Sequence, residues 1–90
     1  MKEYNIKELL RSDTVINCKT EKQAKKFIKK LQILGYNWEW GDILSPQNTY
    51  YNIYEEKTCY ILTTYGTVMY GDIEHLIALG YRILTLKDIK

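Results

Sequence analysis

"LQILGYNWEWGDIL", residues 31–44, carries the reading on which the fold turns. Its opening pattern, L-x-x-L-G-Y, recurs at residues 76–81 as "LIALGY", 45 positions further on. In each copy a Leu-rich last helical turn meets Gly, which adopts the left-handed C-cap conformation without steric cost, and then a Tyr that begins a strand. Two helix-to-strand transitions therefore punctuate the chain. An old duplication and convergent use of the commonest helix stop explain the recurrence equally well.

Upstream of the first copy, "TVINC" (14–18) reads as a β-branched strand, and Thr20 with Gln23 forms a capping box that starts a helix. Ala24, Phe27, Ile28, Leu31 and Leu34 recur on that helix at three- and four-residue steps as one apolar stripe. Strands are expected at about 36–40, 50–55, 58–64 and 67–71, the last two joined by the turn "TTYGT". Asp72 caps a shorter helix with Ile73, Leu76 and Ile77 inward, and "YRILTL" (81–86) is the last strand. A short helix is also expected at 5–11, capped by Asn5. The predicted architecture is α+β: a mostly antiparallel sheet of about five to six strands with two main helices packed on one face, in a single domain spanning residues 1–90. "CYILTT" (59–64) is apolar on both sides of its alternation, so a second face needs cover from the first helix or from a second subunit, and a homo-dimer or higher oligomer is expected.

The formal charge of +2 hides an asymmetry. Residues 1–30 carry nine Lys or Arg against four Asp or Glu, whereas residues 31–90 carry four against seven. Attraction for anions is therefore local to "KTEKQAKKFIKK" (19–30), and the broad negative surface of a DNA mimic is absent. No apolar run reaches the roughly 18 residues of a membrane span, and the start lacks the apolar stretch of a signal peptide, so a cytoplasmic location (the host cell cytoplasm, on the resemblance below) is expected. Cys18 and Cys59 lack CxxC spacing and read as two small buried thiols. Signals for an enzyme are poor: Ser12 and Ser45 have no neighbouring histidine, the glycines form no phosphate loop, and His75 falls where an exposed helical residue belongs. No catalytic residue, metal or cofactor is predicted.

Binding chemistry is better represented. With a strand period of two, Tyr36, Trp38 and Trp40 share one face, and Trp40, beside Gly41 and Asp42 at the strand end, is the more open ring. Nine tyrosines crowd a chain of 90 residues, and rigid amphipathic rings suit interfaces and base stacking. The ordinary alternative is that such rings fill a thin core, and that the lysines of the helix are a solvated face. The candidate ligand-binding residues are Trp40, Trp38, Tyr36, Tyr60, Tyr70 and Lys26.

The runs "TEKQAKKFIKKLQILGYNWEWGDIL", "YNIYEEKTCYIL" and "YGTVMYGDIEHLIALGY" resemble a group of small proteins encoded by phages and prophages of low-GC bacteria, over about residues 14–86. The shared pattern is G-Y-x-W-x-x-G-x-x-L, then T-C-Y, then G-x-V-x-Y-G. The resemblance implies a non-enzymatic counter-defence binder. The leading expectation is a sponge that sequesters a nucleotide-derived immune signal, stacking its base on aromatic rings and holding its phosphates with lysines or a helix N-terminus. The alternatives are a direct protein inhibitor of a bacterial defence enzyme and a small nucleic-acid-binding accessory protein. The expected partners are thus a nucleotide-type small molecule or a host defence protein, with nucleic acid behind both and no membrane.

Overall fold

The computed structural model describes residues 13–88. In chain order the elements are strand β1 (Thr14–Asn17), helix α1 (Glu21–Ile33), strand β2 (Asn37–Trp38), a one-turn helix α2 (Tyr51–Tyr54) continued by a 3-10 turn at Glu55–Lys57, strands β3 (Thr58–Leu62) and β4 (Thr67–Asp72), helix α3 (Ile73–Ala78), strand β5 (Arg82–Thr85), and a 3-10 turn at Leu86–Asp88. The class is α+β, with five strands in one sheet in the order β2-β4-β3-β1-β5. The helix expected at 5–11 lies outside the described residues.

Local chemistry sets the helix ends. Thr20 accepts the Gln23 amide, and the Gln23 side-chain oxygen in turn accepts the Lys19 N–H, so the capping box closes one residue upstream of its usual backbone donor. Asp72 caps α3 by accepting the Glu74 N–H at 2.8 Å. Both L-x-x-L-G-Y copies build the same helix stop. Gly35 N–H donates to Gln32 and Tyr36 N–H to Leu31, and Gly80 donates to Ile77 and Tyr81 to Leu76, a Schellman motif in each case.

The sheet is mixed rather than mostly antiparallel. β3 is antiparallel to both β1 and β4, whereas β2 pairs parallel with β4 and β5 parallel with β1. Two strand-helix-strand units, β1-α1-β2 and β4-α3-β5, therefore each lend their last strand to the other unit's first. Equivalent residues occupy equivalent registers: Val15 faces Ile83 across one parallel pair, and Val68 faces Trp38 across the other. The operation relating the units is an approximate two-fold axis along β3, in the plane of the sheet. Such an axis exchanges the two faces, so the helices lie on opposite faces and not together on one. α1 buries Ala24, Phe27, Ile28 and Leu31 against Ile16, Trp38, Tyr60 and Val68; α3 buries Leu76 against Val15 and Cys59. The apolar alternation of β3 thus serves two cores, one per face.

Three further expectations are corrected. Residues 50–55 form no strand, because Tyr50 takes a left-handed backbone (φ 59°) and the Tyr51 N–H turns back to the Thr49 hydroxyl, bending the chain into α2. Leu34 leaves the apolar stripe, since it is the C-cap residue of α1 and exposed. Ile77 faces outward, because this six-residue helix turns Leu76, which is buried, and Ile73, which is half-buried, toward the sheet.

Candidate functional site

The strand beginning at Asn37 stops at Trp38. There the chain reverses: Trp38 N–H donates to Asp42 O, and Gly41 N–H returns to Trp38 O, both at 2.9 Å. Gly41 supplies the positive φ of 98° that this turn requires. Trp40 is therefore a turn residue and not the next outward step along a strand face. Its indole N–H donates to the Asp42 carboxylate at 3.0 Å, which fixes the ring.

The ring of Trp40 lies flat on that of Trp38, with centroids 5.1 Å apart and planes 6° from parallel. Tyr50 and Tyr70 stack on each other at 4.9 Å and 7°, and stand edge-on to both tryptophans, at interplanar angles of 82–83°. Four rings thus form a closed box in the stacked and T-shaped geometries that aromatic quadrupoles favour. Tyr54 leans on Tyr70 from outside the box. The left-handed Tyr50 backbone is what carries its ring back over the tryptophans. Beneath, the Tyr60 hydroxyl donates to Thr49 O at 2.7 Å, anchoring the loop that delivers Tyr50, and burial pushes its ionisation well above the ordinary tyrosine range.

The six candidate residues separate into four groups. Trp38 and Tyr60 are buried supports of the core. Tyr36 is half-buried, with burial raising its ionisation, and packs against the α1-side core. Trp40 and Tyr70 come together at the surface, with Tyr50 and Tyr54, which the sequence reading left out of the site. Lys26 sits elsewhere, in a groove with Lys22, Gln23, Leu86 and Lys87 that includes no member of the box. The rim residues Tyr50 and Tyr54 were visible only as composition, in "NTYYNIY", because the backbone turn that presents them has no glycine to announce it.

Charge further separates the two surfaces. Residues 31–56 contain four carboxylates, Glu39, Asp42, Glu55 and Glu56, and no Lys or Arg, whereas α1 carries five lysines. All four carboxylate residues are exposed, and Glu39 accepts the Thr67 hydroxyl at 2.6 Å, tying the β3–β4 turn to the aromatic rim. Among the described residues no group of three or more His, Cys, Asp or Glu side chains forms a metal-ligand set, and no helix is long and apolar enough to cross a membrane. Compared with protein families, with curated proteins and with solved structures, the chain matches none.

Proposed function

We propose that this protein acts by binding another protein, through the aromatic rim formed by Trp40, Tyr50, Tyr54 and Tyr70. The observation that carries this reading is the closed box. Stacked rings with centroids about 5 Å apart leave no slot for a base between them, so the rim offers an outer surface and not a cage. The rings are held by each other and by Asp42, and rigid aromatic anchors lose little entropy on docking. Acidic residues surround them in the sequence, so the complementary partner surface is basic, with Arg guanidinium groups stacking on the open face of Trp40 and pairing with Asp42, Glu55 or Glu56. In the counter-defence setting that the phage resemblance implies, such a surface is the nucleic-acid-binding face of a host defence enzyme, and the protein is its direct inhibitor. A homo-dimer, cytoplasmic residence and the absence of catalysis belong to the same proposal. Met69 and Leu79, exposed on β4 and after α3, are apolar residues that a second copy would cover.

The sponge reading keeps one supporting observation, the lysine groove, but its base-stacking and phosphate-holding residues share no lining residue. Native mass spectrometry of protein purified from bacteria with an active defence system separates the two. A stoichiometric basic protein that is retained by the wild type and released by Trp40→Ala, but not by Lys25→Glu/Lys29→Glu, is the expected result. A co-purifying mass of a few hundred daltons that is lost in Trp40→Ala, with no protein partner, overturns the inhibitor reading in favour of the sponge.

A further inference from the structure

The parallel pairing of β5 with β1 sets Thr85 beside Asn17, so the chain leaving β5 runs alongside the segment that leads into α1. Lys87 is thereby brought to the flank of α1, where Lys22 and Lys26 stand one turn apart. Together with Gln23 and Leu86 they line a groove of about 380 Å³, within the range of small-molecule sites. Among the described residues no carboxylate residue lines it. Glu21, the acidic residue of the first helical turn, is drawn aside to Lys25 at 3.5 Å, whereas Lys22, Lys26 and Lys87 have no ion-pair partner among the described residues. The Gln23 carboxamide oxygen is already committed to the Lys19 N–H, which leaves its NH₂ group as the half free to donate. Every free polar side-chain group of the described lining is therefore a hydrogen-bond donor, and Leu86, packed on the core, supplies an apolar wall.

We infer that this groove is a binding site for a small polyphosphate, two or more linked phosphates such as those of pyrophosphate or a nucleoside diphosphate or triphosphate. Three ammonium groups delivered by two separate elements match several negative charges spaced along a short chain better than a single monoanion. The inference is independent of the aromatic rim: a failure here leaves the protein-contact reading standing, and the reverse.

Calorimetric titration of the whole chain with pyrophosphate, and separately with ATP, at about 50 mM salt tests it. Saturable one-to-one binding is expected, weakened about three- to tenfold by each of Lys22→Gln, Lys26→Gln and Lys87→Gln and less than about twofold by Lys29→Gln, which lies on the same helix outside the groove. These positions are exposed, so the variants fold. ATP binding much tighter than pyrophosphate points to a nucleotide as the source of the phosphates, and equal affinity to the phosphates alone; either supports the site. Absence of saturation, sulfate binding as tight as pyrophosphate, or an equal loss in Lys29→Gln overturns it, the last by showing only the diffuse charge of the helix. Duplex DNA binding that depends equally on all five α1 lysines would also overturn it.

Discussion

Trp38 and Trp40 lie face to face with centroids 5.1 Å apart, yet Trp38 is 1% exposed and Trp40 48%. One ring is the floor of the box and the other its lid. Trp38→Ala empties a site in contact with Trp40, Tyr50, Tyr60 and Tyr70, and is expected to cost about 3–5 kcal/mol, enough to unfold a domain of this size. Trp40→Ala leaves that core intact and is expected to cost about 1 kcal/mol, while reducing partner affinity by about 1–3 kcal/mol. Thermal melts of the two variants check the first part. Equal melting temperatures would show that both rings are structural.

A backbone prediction concerns Glu55. It holds φ 52° and ψ −123°, a combination open to glycine and strained for any residue with a Cβ, while its side chain is exposed. Glu55→Gly is expected to stabilise the fold by about 1 kcal/mol, and Glu55→Val to destabilise it by at least as much. Urea midpoints for the two variants should move in opposite directions; a loss of stability in Glu55→Gly would show that the side chain, not the backbone, governs the position.

What could be read from the sequence was what short-range chemistry determines. Thr20, Asp72 and the two Leu-Gly-Tyr stops specify their helix ends through bonds spanning at most five residues, and all appear where expected. The parallel pairings of β2 with β4 and of β5 with β1 join residues about 30 and 68 positions apart, and nothing in a strand's own alternation says which neighbour it takes. Apolar residues on both sides of β3 were legible, but not that each side belongs to a different helix. Trp40 was placed correctly at a rim by the wrong geometry, because the Gly41 turn delivers it there instead of strand extension. The lysine groove was unreadable, since Lys87 meets Lys22 and Lys26 only through the β1–β5 pairing.

Asn17 is the polar residue on which the sheet and the α2 loop both depend. It is buried, and its amide donates to Glu56 O at 3.1 Å and Thr58 O at 2.9 Å, joining β1 to the turn before β3. Asn17→Ala leaves those carbonyls with one fewer donor and is expected to cost about 1–3 kcal/mol. Asn17→Asp is expected to cost more above neutral pH, because an ionised carboxylate would face two carbonyl oxygens, and to recover part of the loss at acid pH, where the protonated acid can donate to one. Denaturant melts of Asn17→Asp at acid and neutral pH read this directly; a stability independent of pH would exclude the donor role.

The two thiols make the fold sensitive to alkali. Cys18 and Cys59 are free and sit in different cores, one on each face of the sheet. Burial pushes Cys18 from 9.0 up to about 12, with Cys59 nearby adding to the rise. Burial also pushes Cys59 up to about 11, against the opposing hydrogen bond from Asn17. Below the unfolded value both states hold both protons, so the thiols contribute fully to stability there. As pH climbs from about 9 toward 11–12, the unfolded chain sheds these protons while the folded chain keeps them, and the contribution is lost. Each thiol can add a slope of up to about 1.4 kcal/mol per pH unit in that window. Tyr60, raised by burial in the same direction, steepens the decline at its upper end. Urea unfolding measured across this range is expected to show stability falling with pH, and Cys18→Ala/Cys59→Ala to flatten the lower part of the fall while lowering stability at neutral pH by its two small cavities. A slope unchanged by the double substitution would place the alkaline sensitivity elsewhere. Thiol-reactive reagent at neutral pH supplies the companion measurement: neither cysteine should react until the chain unfolds, and rapid labelling of Cys59 in the native protein would mean that the α3-side core opens on its own.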